Sequence, residues 1–256
     1  MKKLPKSWKD ISIKQFVEVS NLVQSGLEDI DLKVKLMSIF SGEPEDYFLK
    51  LNYKEFNKLC NSVAFMNDLN ISGKLIYNFK IDGIKFIVNP NVSDLSTAEY
   101  IDLLNYMGSK DKVKDNLHKI LAIFIKPKHK WFGLKKVYMR RGEVAEILLN
   151  KMPITIAYPL SVFFCELLNN SIKTTKDYLD MMMKKVMGGE ENWFGKKWGW
   201  YITLDNISNS RVVDWDTLLE FKITVFLNMC AYHKDKQEWE KQHMERERIK
   251  WQQRNL

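Results

Sequence analysis

The sequence predicts a mainly α-helical protein: a helical body, one small β-hairpin at about residues 76–88 and a long C-terminal helix. Apolar residues recur at helical spacing along most of the chain, and the pattern changes to alternation only near the hairpin. The last roughly 40 residues, from Asp214, contain neither Pro nor Gly. With 45% hydrophobic residues, a chain of 256 residues can bury a substantial core.

Three amphipathic helices are predicted in the N-terminal part of the chain. Ser12 is placed to cap the first, which ends near Gly26. The second ends at the helix-stopping sequence Gly42-Glu43-Pro44. The third carries an apolar stripe at i, i+3, i+4 and i+7 spacing, formed by Phe56, Leu59, Cys60 and Val63.

The hairpin is predicted from two alternating runs around Asp82-Gly83. The first run contains Phe79 and Ile81, and the second contains Ile84 and Phe86. Asp-Gly between such runs favours a type I′ turn, which needs positive φ at both central residues. Because a single hairpin is not stable alone in water, it must pack against the helices or a partner chain.

Helices resume after the hairpin. A capping box is predicted between Glu99 and either Ser96 or its neighbour. A later helix contains Val113, Leu117 and Phe124 and is stopped by Pro127. Further helices are predicted at 143–151, 154–170 and 174–187. A boundary near Gly188-Gly189 divides the chain into a body, residues 1–188, and a module of aromatic stretch and long helix, residues 189–256.

The C-terminal helix has two contrasting halves. The first, around Leu218 to Met229, is apolar on all sides and is expected to lie in the core. The second, from Lys234, carries seven Lys or Arg and five Asp or Glu residues. It is expected to protrude, or to become ordered on a partner.

Composition excludes several classes of protein. A charged fraction of 28% and a mean hydropathy of -0.32 exclude a multi-span membrane protein. The longest weakly charged run, Pro153 to Leu168, is too short for a span, and no apolar segment of a signal peptide follows the basic N-terminus. We therefore expect no membrane partner. Cys60, Cys165 and Cys230 lie far apart and are expected to be core residues in a reducing compartment.

No catalytic, cofactor or metal site is predicted. The four histidines lack the i, i+4 spacing of a helical metal site, and no Gly-rich phosphate loop occurs. Glu220 and Lys222 resemble part of a nuclease motif, but they lie in a predicted helix and not on a strand. The sequence therefore favours a protein that is not an enzyme.

The densest basic segment is residues 126–141, which contains no acidic residue. Aromatic residues are interleaved with its cations, a composition that suits nucleic acid. The other interpretations are a solvated loop or a patch that contacts an acidic subunit. The candidate nucleic-acid contacts are Lys126, Lys128, Lys130, Lys135, Lys136, Arg140 and Arg141.

Tryptophan is concentrated in two places in the C-terminal quarter of the chain. Tryptophan side chains are common at the centres of protein interfaces because they bury a large area at low entropic cost. The alternative for the first group is a loop folded over the core. The candidate interface residues are Trp193, Trp198 and Trp200, together with Trp239 and Trp251 on the last helix.

Several segments between residues 8 and 170 resemble virion or assembly proteins of crAss-like tailed bacteriophages. They are the start Trp8-Lys9-Asp10-Ile11-Ser12 with Gln15-Phe16, the run Asp46-Tyr47-Phe48-Leu49 with Leu51 and Phe56, the Phe79–Phe86 hairpin, residues 95–102 and residues 117–122. The resemblance implies a ring, tail or cargo protein of the virion, made in the cytoplasm of the bacterial host. It carries no catalytic position.

The expected function is that of a non-enzymatic subunit in a ring-like head–tail or tail assembly. Its partners would be other virion proteins and copies of itself. The alternative is a nucleic-acid-binding cargo protein or assembly chaperone that contacts DNA through residues 126–141.

Overall fold

The structure is a computed structural model that describes residues 4–24, 29–67, 71, 73–128, 139–167 and 197–254. It is mainly helical, with a small sheet and a long C-terminal helix, so the predicted fold class is confirmed. In chain order the helices are α1 (Ile13–Gln24), α2 (Asp29–Ser41), α3 (Glu45–Leu49), α4 (Tyr53–Ser62), α5 (Thr97–Tyr106), α6 (Lys110–Asp115), α7 (Leu117–Phe124), α8 (Arg141–Lys151), α9 (154–167 as far as it is described), α10 (Trp200–Ile207), α11 (Trp215–Glu220) and α12 (Ile223–Arg254).

The chain divides into two compact units. The first consists of Met1–Pro90 and Tyr106–Glu166, and the second of Asn91–Asn105 and Leu167–Leu256. Residues 91–105 therefore group with the C-terminal part, whereas the sequence division placed them in the body. The predicted boundary near Gly188-Gly189 and the predicted helix at 174–187 lie outside the described residues.

Helix starts in the first unit follow the expected capping chemistry. The Ser12 Oγ accepts a hydrogen bond from the Gln15 backbone N–H at 3.3 Å, and the Ser12 N–H donates to Gln15 Oε1 at 3.1 Å. At the start of α4, the Asn52 side chain accepts from the Glu55 N–H at 2.9 Å. The short helix α3 was not predicted; its Phe48 is fully buried with Met37 of α2.

The hairpin extends into a three-stranded antiparallel sheet of β1 (Asn78–Ile81), β2 (Ile84–Val88) and β3 (Ile125–Pro127), in that order. Asp82 and Gly83 have φ of 49° and 76°, as the predicted turn requires. The third strand corrects the prediction that a helix continues to Pro127. Helix α7 ends at Phe124 because the next residues pair with β2, where Val88 lies opposite Ile125.

The main core of the first unit lies between α7, α8 and α9. The rings of Phe124 and Phe164 stack with centroids 3.9 Å apart, and Leu121 and Leu148 are fully buried. The extended segment before α1 pairs with the α8–α9 connection, where the Ile154 N–H donates to the Ile11 carbonyl at 2.8 Å. None of the described helices is long and apolar enough to cross a membrane.

The second unit is built on a backbone pairing between distant parts of the chain. The Thr97 N–H donates to the Phe221 carbonyl at 2.8 Å, and the Ile223 N–H donates to the Leu95 carbonyl at 2.9 Å. Ser96 and Lys222 form the isolated antiparallel bridge between them. This pairing interrupts the helix that the sequence predicts from Asp214, so that α11 and α12 are separate.

The first half of α12 is buried on one side only. Ile223, Phe226 and Cys230 are buried, whereas Val225 is exposed. The expectation of burial on all sides was therefore wrong. An apolar side chain does not by itself define a buried face; that face depends on where the neighbouring elements pack.

Candidate interaction surface

The aromatic side chains at the start of α10 point in different directions. Gly199, with φ of 38°, precedes α10. Trp200 points towards α12, with its ring 6.4 Å from that of Phe226. Trp198 and Tyr201 are exposed, and their rings contact each other at 6.0 Å. Trp193 lies outside the described residues, so its role at an interface stays a prediction.

Three aromatic rings of this region contact one another in series. Tyr201 contacts Trp198 on one side and Trp215 of α11 on the other, where the ring centroids are 5.6 Å apart. The Trp215 indole N–H donates to Ser208 Oγ at 3.1 Å, which fixes the ring at the end of α10. Exposed aromatic rings held in fixed positions can bind a partner at little entropic cost.

The second half of α12 is a solvent-exposed helix. Its 32 residues span about 48 Å, and its buried residues all precede position 234. Pairs three or four residues apart join opposite charges along it: Lys236 with Glu240 at 3.8 Å, Arg248 with Glu245 at 3.2 Å, and Lys250 with Glu247 at 2.9 Å. Each exposed pair contributes only about 0.3–0.5 kcal/mol to stability. The pairs therefore stabilise the helix but do not hold it against another element.

Two large aromatic side chains are exposed on this helix. Trp239 is 64% exposed and Trp251 is 67% exposed. Twelve residues separate them, which places them about 18 Å apart along the axis and about 120° apart around it. They therefore occupy different faces, unlike the single apolar seam of a two-stranded coiled coil. Trp239 lies beside the His243 ring at 5.5 Å.

A groove of about 760 Å³ lies between α10 and the exposed half of α12. Its apolar lining comes from Ile202 and Ile207 on α10 and from Ile249 on α12, and its polar rim includes Lys241 and Glu245. Its volume is in the range of ordinary ligand pockets. Sequence analysis did not identify this groove, because the packing of α10 beside α12 is not encoded in either pattern alone.

The candidate nucleic-acid residues are only partly described. Lys126 and Lys128 follow α7 along β3, and Arg140 and Arg141 begin α8; all four are exposed. Lys130, Lys135 and Lys136 lie outside the described residues. The sequence analysis missed Lys80 and Lys85, which lie exposed on the same sheet as Lys126. The alternation of these lysines with Phe79 and Phe86 was the sequence signal that could have identified them.

The cysteine thiols in the two units have structural roles. Burial raises the pKa of the Cys230 thiol to about 12, so this thiol stays protonated. The three cysteines are free thiols: Cys230 is buried, Cys165 is half-buried, and the half-buried Cys60 packs against the core cluster of Met37 and Phe48. Within the described part of the chain, no three His, Cys, Asp or Glu residues are grouped so that they could hold a metal ion.

Comparison of the chain with protein-family models, with curated proteins and with solved structures gives no match.

Proposed function

We propose that this protein is a non-enzymatic structural subunit of a tailed-phage virion and acts through protein–protein contacts. The observation that carries the proposal is the exposed half of α12, with Trp239 and Trp251 on its surface. The resemblance of residues 8–170 to proteins of crAss-like phages supports a tailed-phage virion as the particle in which the protein acts. The proposed partners are other virion proteins and further copies of this chain.

The exposed half of α12 leaves apolar area in contact with water. Burying one large apolar side chain contributes about 1.5–3 kcal/mol, and α12 leaves Trp239 and Trp251 in water. Among the described residues, contacts within the chain leave about two thirds of each tryptophan exposed, and the buried residues of α12 all lie before Lys234. A partner surface would recover it, with the charged residues of the helix setting register.

The geometry supports a head-to-tail contact. The exposed tryptophans and the groove lined by Ile202 and Ile249 are different surfaces of the same unit. A contact in which the helix of one copy enters a different surface of the next copy is heterologous. Heterologous contacts close into rings when the rotation between copies permits it.

The primary test is mass spectrometry of purified particles of the encoding phage, combined with light scattering of the purified protein. We expect the chain in the particle fraction and an oligomer in solution. A protein that stays monomeric at all concentrations and is missing from particles would overturn the proposal.

A pair of variants tests the anchors directly. Trp239→Ala/Trp251→Ala should remain folded but lose oligomer formation and entry into particles. The matched control is Gln252→Ala/Gln253→Ala, which shortens two exposed polar side chains of the same helix. If the control variant fails to assemble to the same degree, the tryptophans are not the anchors.

A further inference from the structure

We infer that the outward face of the three-stranded sheet binds the phosphate backbone of nucleic acid. This inference is independent of the proposed assembly role, because the sheet lies in the first unit and the candidate interface lies in the second. Side chains alternate across a strand, and Phe79, Phe86 and Ile125 point into the core. The residues between them therefore point to solvent.

Four of the outward residues are lysines, arranged in two rows across the strands. Lys80 of β1 lies directly opposite Lys85 of β2. The Lys128 backbone N–H donates to the Lys85 carbonyl at 2.7 Å, which continues the pairing of β3 and places a third lysine in this row. Lys126, opposite Ile87, lies in the next row. Neighbouring strands are about 4.8 Å apart, so the backbone positions of the three lysines in the first row lie within about 10 Å of one another.

This arrangement is unfavourable for the sheet itself. Like charges directly opposite each other destabilise a strand pair. Among the ion pairs of the described residues, none includes Lys80, Lys85 or Lys128. The acid of the hairpin turn, Asp82, instead pairs with Lys151 of α8. The row therefore presents positive charge that the neighbouring described side chains do not neutralise.

The chemistry of the face favours a nucleic-acid backbone as its ligand. A lysine ammonium acts as a point charge for phosphate. The outward positions of the described strands hold no aromatic residue on which a base could stack, which favours backbone contact over base recognition. Ile87, half-buried, is the apolar residue among them. A protein interface or a membrane surface would need a larger apolar area.

The test is the affinity of the full chain for a duplex DNA of mixed sequence, measured by fluorescence anisotropy across a salt series. Three phosphate contacts, from Lys80, Lys85 and Lys128, give a slope of about -2.7 in log K against log salt. This slope corresponds to a loss of about fortyfold between about 50 and 200 mM salt. Lys80→Gln/Lys85→Gln/Lys128→Gln should reduce the slope by about 2.7 and weaken binding at low salt.

The matched control removes the same charge from exposed helical positions of the first unit: Lys14→Gln/Lys54→Gln/Lys58→Gln. It should keep the wild-type slope. Because the sheet substitutions relieve repulsion, their melting temperature should equal or exceed that of the wild type, which separates lost binding from lost folding.

Three results would overturn the inference. The first is no binding of DNA at the lowest salt concentration. The second is an equal loss in the sheet and control variants, which would reduce the effect to net charge. The third is binding of vesicles of anionic phospholipid without binding of DNA. Particle entry of the sheet variant reports separately on the assembly role.

Discussion

Gly73 lies against the backbone of α9 at the position of Pro159. A Cβ at residue 73 would lie 2.0 Å from the Thr155 carbonyl oxygen and 2.9 Å from Pro159 Cγ. Proline has no N–H, so the Thr155 carbonyl lacks its usual partner four residues later in the helix. Gly73→Ala should lower the free energy of unfolding by about 1–3 kcal/mol, measured by urea denaturation.

Gly142→Ala is the control for this substitution. Gly142 lies in α8, and a Cβ there meets no atom within 4 Å. Since alanine favours a helix more than glycine does, this variant should gain up to about 1 kcal/mol. Equal stability of the two variants would contradict the close approach at Gly73.

His118 of α7 gives the first unit a dependence on pH. Its side chain is buried, and its Nδ1 has no hydrogen-bond partner among the residues that the structure describes. Burial lowers the pKa of His118; nearby Lys119 lowers it further, and Glu146 opposes the shift. As pH falls below about 6.5, the unfolded chain therefore binds the proton before the native chain does.

The free energy of unfolding should consequently decrease from pH 7.5 towards pH 5, until the native pKa is passed. His118→Leu should remove this part of the pH dependence, measured as urea midpoints at several pH values. His243→Gln, at an exposed position, should leave it unchanged. An identical pH profile for wild type and His118→Leu would contradict the assignment to His118.

At the scale of elements, the sequence predicted features that depend on neighbouring residues. The Ser96 capping box forms, with the Glu99 N–H donating to Ser96 Oγ at 3.2 Å and the Ser96 N–H donating to Glu99 Oε2 at 3.0 Å. The Asp82-Gly83 turn has the expected backbone. In both cases the stabilising group lies within three residues along the chain, so a local pattern is sufficient.

Features that depend on distant residues were not predictable in the same way. Strand β3 exists because Ile125 pairs with Val88, and the break before α12 exists because Phe221 accepts from Thr97. The lysine row has the same origin, since Lys128 joins Lys85 only through β3. Alternation alone would have placed Lys80 and Lys85 on one face, although the sequence analysis missed them, but it could not supply the third lysine.

A truncation after His233 tests the division of α12 into a buried and an exposed half. It retains Ile223, Phe226 and Cys230, the buried residues of the helix. The melting temperature should fall by no more than about 4 °C, equivalent to about 1 kcal/mol or less. The shortened protein should nevertheless fail to form oligomers, as measured by light scattering.

A longer truncation, after Lys222, is the positive control. It removes the three buried residues and should abolish cooperative unfolding of the second unit. A large loss of stability in the His233 truncation would show that the exposed half supports the core. Normal assembly of that truncation would show that the exposed half is dispensable for contact.

At the scale of the whole molecule, the second unit is discontinuous in sequence. Its segment Asn91–Asn105 precedes much of the first unit, and its remaining part begins at Leu167. Leu95 is buried, its carbonyl accepts from Ile223, and Lys222 Nζ lies 2.9 Å from Asp94 Oδ1. The early segment is therefore part of the unit's structure and not a linker.

A fragment of residues 167–256 should consequently not fold as an independent domain. It loses the backbone pairing to Leu95 and Thr97 and leaves the carbonyl of Phe221 without its partners. Each of these hydrogen bonds contributes about 0.5–1.5 kcal/mol, and the fragment also loses the buried side chains of Tyr100 and Leu103, whereas a domain is stable by only about 5–15 kcal/mol. Circular dichroism should show partial helix but no cooperative thermal transition.

Joining residues 91–106 to this fragment through a Gly/Ser linker should restore a cooperative transition, because it returns the missing partners. The matched control carries the same joined segment with Thr97→Pro, which removes the N–H donated to Phe221 and the Thr97 hydroxyl. Equal cooperativity of the fragment with and without residues 91–106 would mean that the C-terminal part folds alone, as the sequence division at residue 189 implies.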